Sequence, residues 1–170
     1  LLRIANCCSL KMISIGDSFC NYPMLQLCEC DALEELTIGA GERGALRRVR
    51  VFTLEDLPSL KQVTINRNSF KYAKTVVFNN LPSLKSIDLG ESVFNASGCL
   101  QSQVDYCPFK YDVSLSMKDL MSLEELTMKC DCLYFVNHIE LKNIPNLRKI
   151  HCFIPFAYVT ELQAENAEPF

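Results

Sequence analysis

Phe52-Thr-Leu54-Glu-Asp56-Leu57-Pro58-Ser-Leu60-Lys-Gln-Val63-Thr-Ile65 is repeated 24 residues later as Val76-Val-Phe78-Asn-Asn80-Leu81-Pro82-Ser-Leu84-Lys-Ser-Ile87-Asp-Leu89. Laid side by side, the two stretches set apolar on apolar, Asx on Asx and Pro on Pro. Within each, the apolar residues alternate in twos, which is the period of a strand and not of a helix. The Asx-apolar-Pro step between the runs has a local cause. Asx side chains bond their own backbone and favour turns, and Pro pushes its predecessor towards extended geometry. Each unit therefore reads as two short strands joined by a bend, with a return through Gly or polar residues such as Gly16-Asp17, Gly39-Ala-Gly41 and Gly90-Glu91.

Working outward, the same pattern recurs from Leu2 to Ile15, from Leu25 to Ile38, from Leu115 to Met128 and from Ile139 to Cys152. A seventh copy opens at Leu162-Gln-Ala164-Glu-Asn166-Ala167. The anchoring leucines Leu10, Leu33, Leu60, Leu84, Leu123 and Leu147 are spaced by 23, 27, 24, 39 and 24 residues. Taking one period of 24 from the long interval leaves 15 surplus residues, which fall in a Ser-, Gly- and Gln-containing stretch from Asn95 to Lys110 and read as a loop insertion. One unit cannot bury its apolar face alone, but units stacked at roughly 4.8 Å per strand step can. The expectation is a mainly β solenoid of about seven coils, residues 1–170, with little helix. The chain opens inside a strand at Leu1-Leu2 without an initiating Met and stops within the seventh copy. It therefore reads as part of a longer array with flanking repeats.

Composition agrees. The 170 residues suit one domain, and 49% apolar with 22% charged residues is too apolar for a disordered polar chain. The 23 leucines fit a repeat architecture. No run approaches the roughly 18 apolar residues of a membrane-spanning helix, so no membrane insertion is expected in this segment. A net charge of −3 argues against general nucleic-acid binding, which needs concentrated Lys and Arg.

Leu60-Lys-Gln-Val63-Thr-Ile65-Asn-Arg-Asn68-Ser-Phe70 resembles the leucine-rich-repeat signature. Leu84 to Phe94 follows it with Ser92 at the asparagine position, and Leu123 to Leu133 follows it with Asp131 there; Gly41 and Pro155 depart from it. The tails Ile15-Gly-Asp-Ser-Phe19 and Leu89-Gly-Glu-Ser-Val-Phe94 are similar in part to the BspA-like branch. The resemblance implies a solenoid of a family nominally classed as α/β. It also implies that a partner meets the outward residues of each second strand: Ser14, Thr37, Thr64, Asp88, Thr127 and His151, beside Lys11, Glu34, Lys61, Lys85, Glu124 and Arg148. Read from chemistry alone, the same columns are a solvated sheet with threonines suited to strands and opposite charges paired across coils.

A basic cluster, Arg43, Arg47, Arg48 and Arg50, is followed one period later by Lys71 and Lys74. The spacing makes these charges neighbours in space, forming a patch for an anionic partner or a charged edge balanced by nearby acids. Only Tyr72 is available for base stacking, so nucleic acid is not the expected ligand.

The ten cysteines divide. Cys7, Cys30 and Cys152 fall in apolar columns and read as small core residues. Cys28-Glu-Cys30 and Cys130-Asp-Cys132 are too close for a zinc knuckle, and strand alternation would send both members of each to one face, so no metal is expected. Cys99 and Cys107 in the insertion form a disulfide in an oxidising compartment or stay thiols in a reducing one. The core-like use of the other cysteines favours the cytoplasm, with the extracellular surface as the alternative. Asn95-Ala-Ser97 fits the glycosylation acceptor pattern. The column Asn6, Glu29, Asp56, Asn80, Asp119, Asn143 and Asn166 reads as turn chemistry. There is no phosphate-cradling loop, no Ser/His/Asp arrangement and no call for a cofactor. Asp88 and His151 stand two coils apart, too far for joint catalysis. His138 reads as strand entry. A non-catalytic protein–protein scaffold is the expectation, with a surface adhesin for glycan or host protein as the alternative and an inert spacer as a third possibility.

Overall fold

The computed structural model describes residues 1–17, 22–96, 112–152 and 158–167. Thirteen strands follow in chain order: β1 (Leu2–Ala5), β2 (Met12–Ile15), β3 (Met24–Cys28), β4 (Glu35–Ile38), β5 (Val51–Glu55), β6 (Gln62–Ile65), β7 (Thr75–Asn79), β8 (Ser86–Leu89), β9 (Ser114–Lys118), β10 (Glu125–Met128), β11 (His138–Lys142), β12 (Lys149–Cys152) and β13 (Glu161–Glu165). The odd-numbered strands form one seven-stranded sheet and the even-numbered strands a six-stranded one, every pairing parallel. Six complete coils and the first strand of a seventh stack without a helix among the described residues. Among the described residues no helix is long and apolar enough to cross a membrane.

Alternation decides which residues meet between the sheets. In β5 and β6, Phe52, Leu54, Val63 and Ile65 are fully buried while Thr53, Gln62 and Thr64 face outward. The period of 24 becomes contact: Val63 pairs with Ile87 and Leu54 with Phe78. Four phenylalanines fill the middle coils. The Phe70 and Phe94 rings stack at 4.8 Å, and Phe52 lies 4.6 Å from Phe70 and 5.5 Å from Phe94.

All seven residues of the Asx column stand at positive φ, from 50° at Asn80 to 58° at Asn6, which is the left-handed conformation Asn and Asp tolerate best. The flip reverses the hydrogen-bond direction. Lys61 and Lys85 N–H groups donate back to the preceding coil, whereas those of Asp56, Asn80, Asp119 and Asn143 donate forward to Asn79, Lys118, Lys142 and Glu165. The side chains add a ladder of their own. Asn80 Nδ2 donates to Asp56 Oδ1 and Asn143 Nδ2 to Asp119 Oδ1, each at 2.6 Å, and Asn166 donates to Asn143 at 3.2 Å.

A second left-handed column, Asn68, Ser92 and Asp131, coincides with the asparagine position of the repeat pattern. A third, Leu46, Phe70, Phe94 and Leu133, is apolar. A left-handed non-glycine residue costs about 1–2 kcal/mol, and full burial of Leu or Phe recovers about 1.5–3 kcal/mol, so these residues hold the conformation by packing. The return after β8 needs Gly90, where a Cβ would lie 2.6 Å from the Arg67 backbone nitrogen.

The cysteines depart from expectation in two places. Cys152 keeps its register opposite Met128 but is exposed, because β12 is the last strand of its sheet. Strand alternation does not run through either Cys-x-Cys pair, since Glu29 and Asp131 between the cysteines are left-handed, and Cys28 is buried as well as Cys30. Cys30 and Cys132 are buried, and Cys130 is partly exposed. Cys99, Cys107, Ser97, Phe19, Pro155 and most of the insertion lie outside the described residues.

Candidate interaction surface

The six-stranded sheet brings Ser14, Thr37, Thr64, Asp88, Thr127 and His151 into one column, each opposite the next. Backbone hydrogen bonds stack the neighbouring column as well, from Lys11 through Glu34, Lys61, Lys85 and Glu124 to Arg148. Charges interleave along this face. Glu34 and Glu35 lie between Lys11 and Lys61, and Glu124 and Glu125 lie between Lys85 and the pair Arg148 and Lys149. Lys61 Nζ reaches Glu34 Oε2 at 2.5 Å and holds that carboxyl below its ordinary range. His151 Nε2 stands 3.6 Å from Glu125. Five cations against five carboxylates, Asp88 included, leave the face balanced. Its centre is the exception: Asp88 Oδ1 is enclosed and has no hydrogen-bond partner among the described residues.

One step beyond this sheet, Arg67 bridges Glu42 at 2.6 Å and Glu91 at 3.1 Å, tying three coils together at the bend. On the far side of each return lies the basic edge. Arg43, Arg47, Arg48 and Arg50 are exposed, and Lys71 and Lys74 are partly so. The Tyr72 N–H donates to the Arg47 carbonyl and the Lys74 N–H to that of Arg50, so the charges sit on adjacent coils as their spacing requires.

The outer face of the seven-stranded sheet carries a second charged network that the sequence reading did not single out. Lys118 reaches Glu140 at 2.7 Å and lowers its carboxyl, with Ser116 donating to the same group at 3.2 Å. Lys142 pairs with Glu165 at 3.0 Å, which raises the ammonium. His138 opens β11, as its reading as strand entry expects, and also lies between Glu161 at 3.0 Å and Asp112 at 3.4 Å. Glu161 is held low first by Gln163 and then by His138. His138, Glu140, Glu161 and Gln163 line a shallow hollow of about 280 Å³ together with Ser114, Ser116 and Ile139. The available signal was the period itself, because His138 and Glu161 are 23 residues apart.

Among the described residues no group of three or more His, Cys, Asp and Glu is placed to hold a metal. An apolar opening of about 230 Å³ lies between the sheets at the last coils, lined by Leu115, Met117, Leu126, Ile139, Leu141, Val159 and Leu162. In comparisons with known proteins, no family model, no curated protein and no solved structure matches the chain.

Proposed function

We propose that the chain is a leucine-rich-repeat solenoid of the β-rich type, with BspA-like character in its glycine-to-phenylalanine returns, that serves as a non-catalytic scaffold for a protein partner. The observation carrying this is the six-residue column from Ser14 to His151 on one six-stranded parallel sheet. It runs five strand steps, roughly 24 Å, a span suited to a macromolecular partner. Its polar groups spread along the sheet instead of converging on one point, as chemistry on a small substrate would require. The basic edge at Arg47, Arg48, Arg50, Lys71 and Lys74 adds an electrostatic guide for an acidic partner.

Site-specific photo-crosslinking tests this reading. A benzophenone amino acid at Thr64 or Thr127 should yield a defined protein adduct that excess wild-type chain competes away, while the same probe at Thr53 on the opposite sheet should not. Adducts formed equally from Thr53, or from no position, would remove the proposal.

A further inference from the structure

Seven cysteines fall within the described residues, and two of them stack on each other. Ala5 pairs with Cys28 at the end of β1 and β3, and Asn6 and Glu29 then take the same left-handed bend. Both coils close the same turn, with the Leu10 N–H donating to the Cys7 carbonyl and the Leu33 N–H to that of Cys30. Register therefore sets Cys7 over Cys30, one strand step of about 4.8 Å apart, inside the span of about 4.4–6.8 Å that a disulfide requires between Cα atoms. The Cys30 sulfur reaches back towards the first coil, 4.0 Å from the Ile4 carbonyl, and Cys7 is among the groups that act on its thiol. In later coils this column holds Leu57, Leu81, Leu120 and Ile144, all fully buried, so thiols meet here at one coil boundary.

We infer that Cys7 and Cys30 form a redox-sensitive clasp, an intramolecular disulfide that fastens the first coil to the second. The chemistry closes with a small-molecule disulfide such as oxidised glutathione. The partly exposed Cys7, as thiolate, attacks one sulfur of that disulfide, expelling one thiolate and leaving a mixed disulfide. Cys30, fully buried against Cys7, then displaces the second thiolate. The protein gives up two electrons and two protons, and the small disulfide becomes two thiols. Burial pushes the Cys30 thiol up, so it waits as a thiol until Cys7 carries the mixed disulfide. The clasp sits on a coil that is incompletely covered, since Leu2 and Ile4 are only half-buried and Leu10 is exposed.

The test is oxidation of the native chain with oxidised glutathione, alkylation of residual thiols and peptide mapping. A Cys7–Cys30 linked peptide lighter by two hydrogens, reversible by dithiothreitol, is the expected product. Cys8→Ser should leave it intact and Cys7→Ala should abolish it. Amide exchange across Leu2–Ala5 should slow by about tenfold or more on oxidation, since the clasp opposes opening of the end coil. A glutathione adduct that stays on Cys7, or a disulfide joining Cys7 or Cys30 to any other cysteine, would overturn the clasp. So would unchanged exchange in β1.

Discussion

The middle coils and the end coils are built from the same letters but are not equally buried. Leu60 and Leu84 are fully enclosed, whereas Leu10, at the same position of the first coil, is 36% exposed. Leu89 and Met128 are buried, while Cys152 in the same column is open to solvent. Burial in a solenoid therefore belongs to having a neighbour on each side, not to the residue type. The phenylalanine cluster marks the place where that enclosure is complete.

The largest test of this contrast is a buried charge. Leu84→Asp should unfold the array, because an unpaired carboxylate enters a site enclosed from both sides, whereas Leu10→Asp should fray only the first coil. Far-ultraviolet circular dichroism with urea titration separates the outcomes. Next, Phe70→Ala should cost about 3–5 kcal/mol, since it empties the centre of the stack. Leu2→Ala, in a half-buried terminal strand, should cost clearly less in the same titration.

The Asx ladder supplies a smaller, pH-dependent effect. Asn143→Asp replaces the amide that donates to Asp119 with a second carboxylate, and should cost about 1 kcal/mol at neutral pH. Two adjacent carboxylates raise one folded-state pKa above its unfolded value, so the penalty is absent well below the carboxylate range and grows as pH rises through it. A stability profile with no pH dependence beyond that of the parent would contradict the ladder. The smallest effect belongs to the exposed Lys61–Glu34 pair. Lys61→Gln should lower the urea midpoint only slightly while the Glu34 titration moves back up, as followed by carboxyl chemical shifts. Because Glu34 is lowered in the folded chain, its contribution is present at neutral pH and fades as pH falls through the carboxylate range.

Much of this architecture was legible in the sequence because a parallel stack turns spacing into contact. Thr64 and Asp88 are neighbours simply because they are 24 residues apart, and the Asx column betrayed a bend that those side chains favour. The left-handed Leu46, Phe70 and Phe94 were not legible, since nothing in an apolar side chain prefers that conformation and only packing holds it there. The exposure of Cys152 was equally hidden, because a repeat letter is the same whether or not another strand covers it. On the surface, alternation identified which residues point outward. It did not tell which of them reach diagonally, as Lys118 does to Glu140, and so the opposite face went unread.

The central claim is that equivalent residues of successive coils touch. Methyl NOE spectroscopy on leucine-labelled chain tests it directly. The account predicts a strong cross-peak between the Leu60 and Leu84 methyls and a weak or absent one between Leu60 and Leu123, two coils away. Absence of the first, or equal strength of both, would contradict the stacked arrangement.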